Sequence, residues 1–372
     1  MKFIVSSSAL LKQINLIGGV ISSNTVLPIL EDFLFEIKDG KLKAQATDLE
    51  ISMSTTVDVE AKEEGRVAIP AKILLDTLKT LPEQPIAFSI NPENYAVEIT
   101  SDNGKYKLAG ENPDDFPKIP VPEDTTAVDL PSDVLQNAIG KCLFAVSNDE
   151  LRPAMTGVLF ELNPQEITFV ATDAHKLVRY TRKDLTIAES AQFIVPKKAL
   201  NLLKNAIPAQ MSNITMSYND SNAFFQFEGI DLSCRLIDAR YPDYNAVIPQ
   251  DNPHLLSIGR SDFQNSLRRI SIFSNKTTHQ VILSINGSSL QVSAQDLDFS
   301  NEANEKLDCE YTGEDLQIGF NARFLIEMLG VMPGEEVQMK LSTPTRAGLL
   351  VPSVPEENEE LLMLVMPVML NV

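Results

Sequence analysis

One short phrase is written three times in this chain, at domain-sized intervals. QATDLEI at 45–51 returns as FVATDAHKL at 169–177 and, in worn form, as VSAQDLDF at 292–299. The recurring acids Asp48, Asp173 and Asp296 stand 125 and 123 residues apart, and three such periods nearly fill 372 residues. A chain this long exceeds one ordinary core. The repeat therefore implies three tandem copies of one domain.

Each copy has the same internal order. Thirteen residues before each acid lies an apolar strand residue (Phe35, Phe160, Leu283), and the strand meets a turn signal at Asp39-Gly40, Asn163-Pro164 or Asn286-Gly287. Alternating apolar and polar residues around such a turn predict a β-hairpin. Upstream, apolar residues at three- and four-residue spacing predict a helix: Ala9, Leu10, Ile14 and Ile17; Val134, Leu135, Ile139 and Leu143; Phe263, Leu267, Ile270 and Phe273. Ser-Asp pairs at 132–133 and 261–262 are the expected caps of the second and third. A second helix follows each acid, in IPAKILLDTLKTL, VPKKALNLLKNAI and FNARFLIEMLG, the last capped by Asn321. Strands then resume. The expected fold is α+β, three copies of a duplicated unit of helix plus antiparallel sheet. Pro-rich connectors near 116–131 and 241–256 place the domains at 1–120, 128–249 and 254–372.

Charge is distributed unevenly. The chain carries a formal net charge of −20, which by itself argues against a nucleic-acid partner. The six predicted helices, however, hold ten basic residues (Lys12, Lys72, Lys79, Lys141, Lys197, Lys198, Lys204, Arg268, Arg269 and Arg323) against four acidic ones, Asp76, Asp133, Asp262 and Glu327. If the helices share one surface, that surface is positive within a negative body. Such a protein could hold a duplex by enclosing it, with loose phosphate contacts and no base readout. No helix-turn-helix, zinc-finger or RNP pattern is present, and the chain has no Trp.

Other functions find little support. Three distant cysteines, Cys142, Cys234 and Cys309, suggest neither a disulfide framework nor a zinc site, and buried free thiols are expected. No apolar run is long enough to span a membrane, and no cleavage signal follows the N-terminus, so a cytosolic protein without a membrane role is expected. Asp173 and His175 could be an acid–base pair, but the sister copies place Leu49-Glu50 and Leu297-Asp298 after the recurring acid. An Asp in all three copies points to a turn role. His254 and His279 lack partners at ligand spacing, and no nucleotide-loop or hydrolase motif occurs. No cofactor, metal or catalytic activity is expected. The tail PEENEELLMLVMPVML reads as a last strand that also edges a binding pocket.

The phrases FVATDAHKL, CRLIDARYPDY at 234–244, LPIL at 27–30 with TDLE at 47–50, IGFN at 318–321 and VMPVML at 365–370 together resemble the bacterial sliding clamp family, the β subunits of DNA polymerase III, along the whole chain. The resemblance implies two crescent subunits closing head to tail into a ring around double-stranded DNA, helices lining the hole and sheets outside. It implies a non-enzymatic processivity factor for the polymerase III α subunit, opened by clamp-loader subunits. A pocket for short partner peptides would use Met155, Thr172, Ala174, His175, Lys176, Leu177, Pro242, Val247, Asn321 and Phe324, closed by Leu364, Val365, Met366, Pro367, Val368, Met369 and Leu370. Met- and Leu-lined grooves repack around several such anchors. Lys197 and Lys198 fall where the family faces DNA, and Tyr106 of one chain would meet Ile272 and Phe273 of the other. The family's Gly at 174 is Ala here, its Arg at 176 is Lys, its penultimate Arg is Met369 with Asn371 and Val372 added, position 24 is Asn, and loop 147–155 has Pro153 and Ala154 where some members have aromatic residues.

A repeat-built peptide scaffold without a DNA role is the alternative reading.

Overall fold

A computed structural model describes residues 1–22, 27–208 and 213–370; Asn24, Asn371 and Val372 lie outside them. Among these residues six α-helices stand where the apolar spacing puts them: α1 Ser7–Ile17, α2 Ala71–Thr80, α3 Ser132–Cys142, α4 Lys197–Ala206, α5 Arg260–Ile270 and α6 Ala322–Val331. Each described helix face is bought by burial of one stripe; in α5 it is Phe263, Leu267 and Ile270, with Arg268 and Arg269 left outside.

The chain forms two compact units, residues 1–136 with 198–236, and residues 137–197 with 237–372. The first contains a five-stranded and an eight-stranded sheet, the second a nine-stranded and a four-stranded sheet. Both large sheets are antiparallel and each is assembled from two neighbouring repeats. In the first unit, strand Ile230–Arg235 of the central repeat pairs with Ile51–Asp58 of the first. In the second, Glu359–Val365 of the third repeat pairs with Lys176–Arg182 of the central one. Apolar residues alternate into the core, where Phe3 stacks on Phe88 at 4.6 Å and Phe160 meets Phe169 edge-on at 4.8 Å.

All three hairpins form, pairing Phe35 with Ala44, Phe160 with Phe169, and Leu283 with Val292. Asp39 and Gly40 both take positive φ, as a tight hairpin turn requires. The three cysteines are buried free thiols. Asn321 caps α6, accepting from the Arg323 N–H at 2.9 Å. One expected cap is corrected: Gly259, not Ser261, is the N-cap of α5, without a side-chain bond. The Arg260 N–H bonds to the Glu335 carbonyl at 2.8 Å and its guanidinium to the Gly334 and Leu329 carbonyls, which turns the chain into the helix before Ser261.

Candidate functional site

The recurring acids build turns. Asp48 Oδ1 accepts the N–H groups of Glu50 (3.0 Å) and Ile51 (2.7 Å), and Asp173 Oδ1 those of His175 and Lys176, both at 2.9 Å. The residue after each acid, Leu49 or Ala174, is left-handed with φ of 77° or 75°. In the third copy the strand runs on to Asp296, whose carboxylate takes only the Asp298 N–H among the described residues, at 3.2 Å, and the left-handed residue is Ser300. Among the described residues no bond joins Asp173 to the His175 ring, which is exposed and lies 6.3 Å from the ring of Phe324. The pair is scaffolding rather than an acid–base couple.

The turn at 173–176 places a buried lysine at the head of α6. Lys176 Nζ lies 2.9 Å from Glu327, 3.3 Å from Asp173 Oδ2 and 4.4 Å above the Phe324 ring. Thr172, also buried, donates to the Lys176 carbonyl at 2.8 Å and accepts the Ala174 N–H at 3.1 Å. The tail crosses here: Leu364 pairs with Leu177, the Met366 N–H bonds to the His175 carbonyl and the Val368 N–H to that of Gly319, both at 2.8 Å. A Cβ on Gly319 would come within 2.7 Å of the Val368 oxygen, so only glycine admits the tail. The segment thus ties the central repeat to the third.

Beneath lies an apolar cluster of Leu159, Val170, Leu177, Tyr241, Leu349 and Leu364 with their neighbours. Tyr241 donates to the Val170 carbonyl at 3.3 Å, and Tyr244 to Glu161; burial first, and then Glu161, push the Tyr244 phenol up to about 12. Around this floor the surface stays apolar but open: Val247 is 56% and Met369 66% exposed, Pro242 and Met366 are exposed, and Met155, Pro367 and Leu370 are half-buried. Buried Val365 and half-buried Asn321 complete the set. The structure therefore brings the expected pocket residues onto one unit, around a single turn, tail and cluster.

The basic residues divide. Lys12, Lys72, Lys79, Lys198 and Lys204 are exposed on the first unit, and Arg268 and Arg269 on the second. Lys198 also bonds to the Val20 carbonyl (2.7 Å) and Asp48 (2.5 Å), Lys197 to Asn148 (2.8 Å), and Arg269 grips Glu305 through two bonds of 2.7 Å. Lys141 is a correction. It is buried 2.6 Å from Glu359 and 4.3 Å above the Tyr180 ring, so its ammonium is turned into the protein and not out to the surface as expected. Glu359 also receives Arg182 at 3.1 Å and the Tyr180 hydroxyl at 2.8 Å. This ionic cluster was not read from the sequence, although Lys141 stands seven residues after Val134, on the apolar stripe of α3.

Sheet edges carry the remaining candidates. Tyr106 sits half-buried on the edge strand Lys105–Ala109 of the five-stranded sheet. Ile272 (67% exposed) and Phe273 (38%) lie in the turn Ser271–Phe273, beside the edge strand Asn301–Asp308 of the four-stranded sheet. No metal-holding cluster of His, Cys, Asp or Glu occurs among the described residues, and no helix among them is long and apolar enough to cross a membrane.

Three family models match in succession: DNA polymerase III beta subunit, N-terminal domain, over residues 1–120; the central domain over 129–243; and the C-terminal domain over 245–369. The chain belongs to the DNA polymerase III beta subunit family. A beta sliding clamp of Vibrio cholerae is 28% identical over 372 residues, covering all of both chains, and one of Synechocystis is 29% identical over 377, covering 95% of this chain and 96% of its own. Among solved structures, a Pseudomonas aeruginosa DNA polymerase III beta-subunit clamp bound to griselimycin aligns over 100% of both chains with a TM-score of 0.93 and 26% identity. The α+β clamp fold of three tandem domains is thereby established.

Proposed function

We propose that this chain is a non-catalytic processivity factor, a sliding clamp that encircles duplex DNA without sequence preference and tethers the replicative polymerase. Three successive clamp-domain matches over nearly the whole chain carry this reading, and they favour it over a scaffold without a DNA role. Tethering raises a partner's effective concentration at the template, so residence takes the place of chemistry.

In this reading the domains are 1–120, 128–249 and 254–372. Lys12, Lys72, Lys79, Lys197, Lys198, Lys204, Arg268 and Arg269 meet the phosphates; Lys141 drops out because Glu359 holds it. Lys198 and Arg269 exchange their bonds to Asp48 and Glu305 for phosphate when DNA enters. The apolar surface around Leu177, Val247, Pro242 and Met369 takes the aliphatic or aromatic anchors of short peptides from the polymerase α subunit, clamp-loader subunits and other clamp-binding proteins. Two copies close head to tail, Tyr106 of one meeting Ile272 and Phe273 of the other. Charge supports that pairing: one edge strand carries Lys105 and Lys107, the other Glu302, Glu305 and Asp308 against Lys306. The protein works in the cytoplasm.

Particle mass in solution tests the closure. A value near twice 41.1 kDa, falling to one chain on Ile272→Ala with Phe273→Ala, is expected. A monomer at micromolar concentration contradicts it.

A further inference from the structure

The junction between the first and central repeats holds a groove in the position that the apolar cluster occupies between the central and third repeats. Strand register makes the correspondence residue by residue. Leu34 opposes Gln45 as Leu159 opposes Val170; Ser52 and Ser233 face each other as Leu177 and Leu364 do; Ser54 and Asp231 stand where Arg179 and Leu362 stand. Phe116-Pro117 arches over one site as Tyr241-Pro242 does at the other.

The chemistry is reversed. Val170, Leu177, Leu362 and Leu364 are replaced by Gln45, Ser52, Asp231 and Ser233. Asp231 is satisfied by Ser54 at 3.1 Å and Gln226 at 3.0 Å, and Ser52 by Thr47 at 2.8 Å. Gln45 and Ser233 are not. They are 8% and 6% exposed, line the groove, and make no side-chain hydrogen bond among the described residues. Neither belongs to the fully enclosed polar groups, so both open their polar atoms onto the groove, where they are free to bond to an occupant. The cavity measures 470 Å³, within the range of ligand sites. Its apolar wall is Phe116, Ile119 and Phe224, and its rim carries Lys43, Arg66 and Lys118 against the single acid Asp231. Arg66 is tied to Asp114 and the Pro113 carbonyl, both at 3.4 Å, whereas Lys118 is exposed and Lys43 reaches Asp231 only at 3.8 Å.

We infer that this groove is a second peptide dock, selective for a short acidic segment of a partner protein. Gln45 and Ser233 bond to the peptide's amide groups, an aliphatic side chain lies on Phe116 and Phe224, and Lys43 and Lys118 hold its carboxylates. The groove's cations complement carboxylates, and because two whole copies of net charge −20 repel each other, a short acidic partner segment held at this one point is favoured over a second copy as occupant. The occupant's being a peptide rests on the reading of the other junction as a peptide dock.

A local reporter tests it. The chain has no Trp, so Val121→Trp, at the rim and 60% exposed in the parent, gives emission from this groove alone. Acetyl-Glu-Leu-Glu-Leu-amide should change that emission saturably, with half-saturation below about 1 mM. Lys43→Glu with Lys118→Glu should raise the half-saturation at least about tenfold at an unchanged melting temperature. Acetyl-Lys-Leu-Lys-Leu-amide should give no signal. The inference is overturned by no saturable change, by one that survives charge reversal, or by an equal change with inorganic phosphate, which would show an anion site only. Val247→Glu, which blocks the other junction, should leave the signal intact. A silent reporter alongside peptide binding that Val247→Glu abolishes sinks this inference and spares the other reading.

Discussion

The two repeat junctions share one backbone plan and are fastened differently. Between the central and third repeats, Glu359 is buried among Lys141, Arg182 and Tyr180. By repeat register their counterparts at the first junction are Glu228, Leu16, Val57 and Thr55; Thr55 bonds within its own repeat to Gln13 at 2.5 Å, and the side-chain bonds that cross this junction include Ser54 to Asp231 at 3.1 Å and Thr56 to the Gly229 carbonyl at 3.4 Å. The junction with the apolar floor is the one with a buried ionic lock. An apolar interface tolerates slippage, and a buried ion pair whose loss is costly defines one register. The polar junction needs no such lock, because its hydrogen-bonding groups already discriminate between registers. Quasi-equivalent positions can thus be given separate duties without altering the fold.

Removing the lock should have the largest effect. Lys141→Ala leaves Glu359 with one fewer cation in a buried site and should cost about 3 kcal/mol of stability. Chemical denaturation measures it, and a loss below about 0.5 kcal/mol would mean the cluster is ornamental. Its DNA affinity should be unchanged, in contrast to that of Lys204→Ala.

Val247→Glu sets a charge on the exposed apolar surface of the second junction. Affinity for an apolar-anchored peptide, followed by fluorescence polarisation, should fall at least about thirtyfold, roughly 2 kcal/mol. Stability should stay within about 0.5 kcal/mol. Unchanged affinity would remove Val247 from the site.

A buried acid in the first repeat supplies the contrast to Glu359. Asp32 is 3% exposed, its Oδ2 has no hydrogen-bond partner among the described residues, and burial, then Glu111 and Glu31, raise its pKa from 3.8 to about 7. The folded state binds this proton more tightly than the unfolded chain does. Its contribution is therefore most favourable below about pH 4, diminishes as pH rises toward about 7, and is level beyond. Asp32→Asn should leave stability at pH 4 nearly unchanged and raise it by about 1–3 kcal/mol at pH 8. Melting temperatures with parallel pH dependence in both proteins would refute the assignment.

The smallest expected effect concerns the turn. Ala174 has φ of 75°, where a Cβ is strained, so Ala174→Gly should add about 0.5–1 kcal/mol. A destabilised variant would show that the entropy of glycine in the unfolded chain dominates.

Much of this fold was legible in the sequence because its signals are local. The hairpin turns at Asp39-Gly40 and Asn286-Gly287, the stripes of α1 and α5, and the Asn321 cap depend on residues within a few positions of each other. The recurring Asp was readable as a turn former because its neighbours vary between copies. What escaped was long-range. Lys141 looked like another surface cation because Glu359 lies 218 residues away. The α5 start shifted because Arg260 is bound by carbonyls at 329, 334 and 335. The pairing of Leu177 with Leu364, which assembles the floor, likewise joins distant repeats. Family resemblance supplied the expected pocket positions where periodicity could not.

The central claim is topological retention, and the most direct measurement compares DNA forms. Loaded onto nicked circular DNA, the protein should stay bound through gel filtration at about 0.15 M salt, and a single cut that linearises the circle should release it within minutes. Equal retention on the circle and on the linear product would contradict encirclement and leave only a phosphate-binding surface.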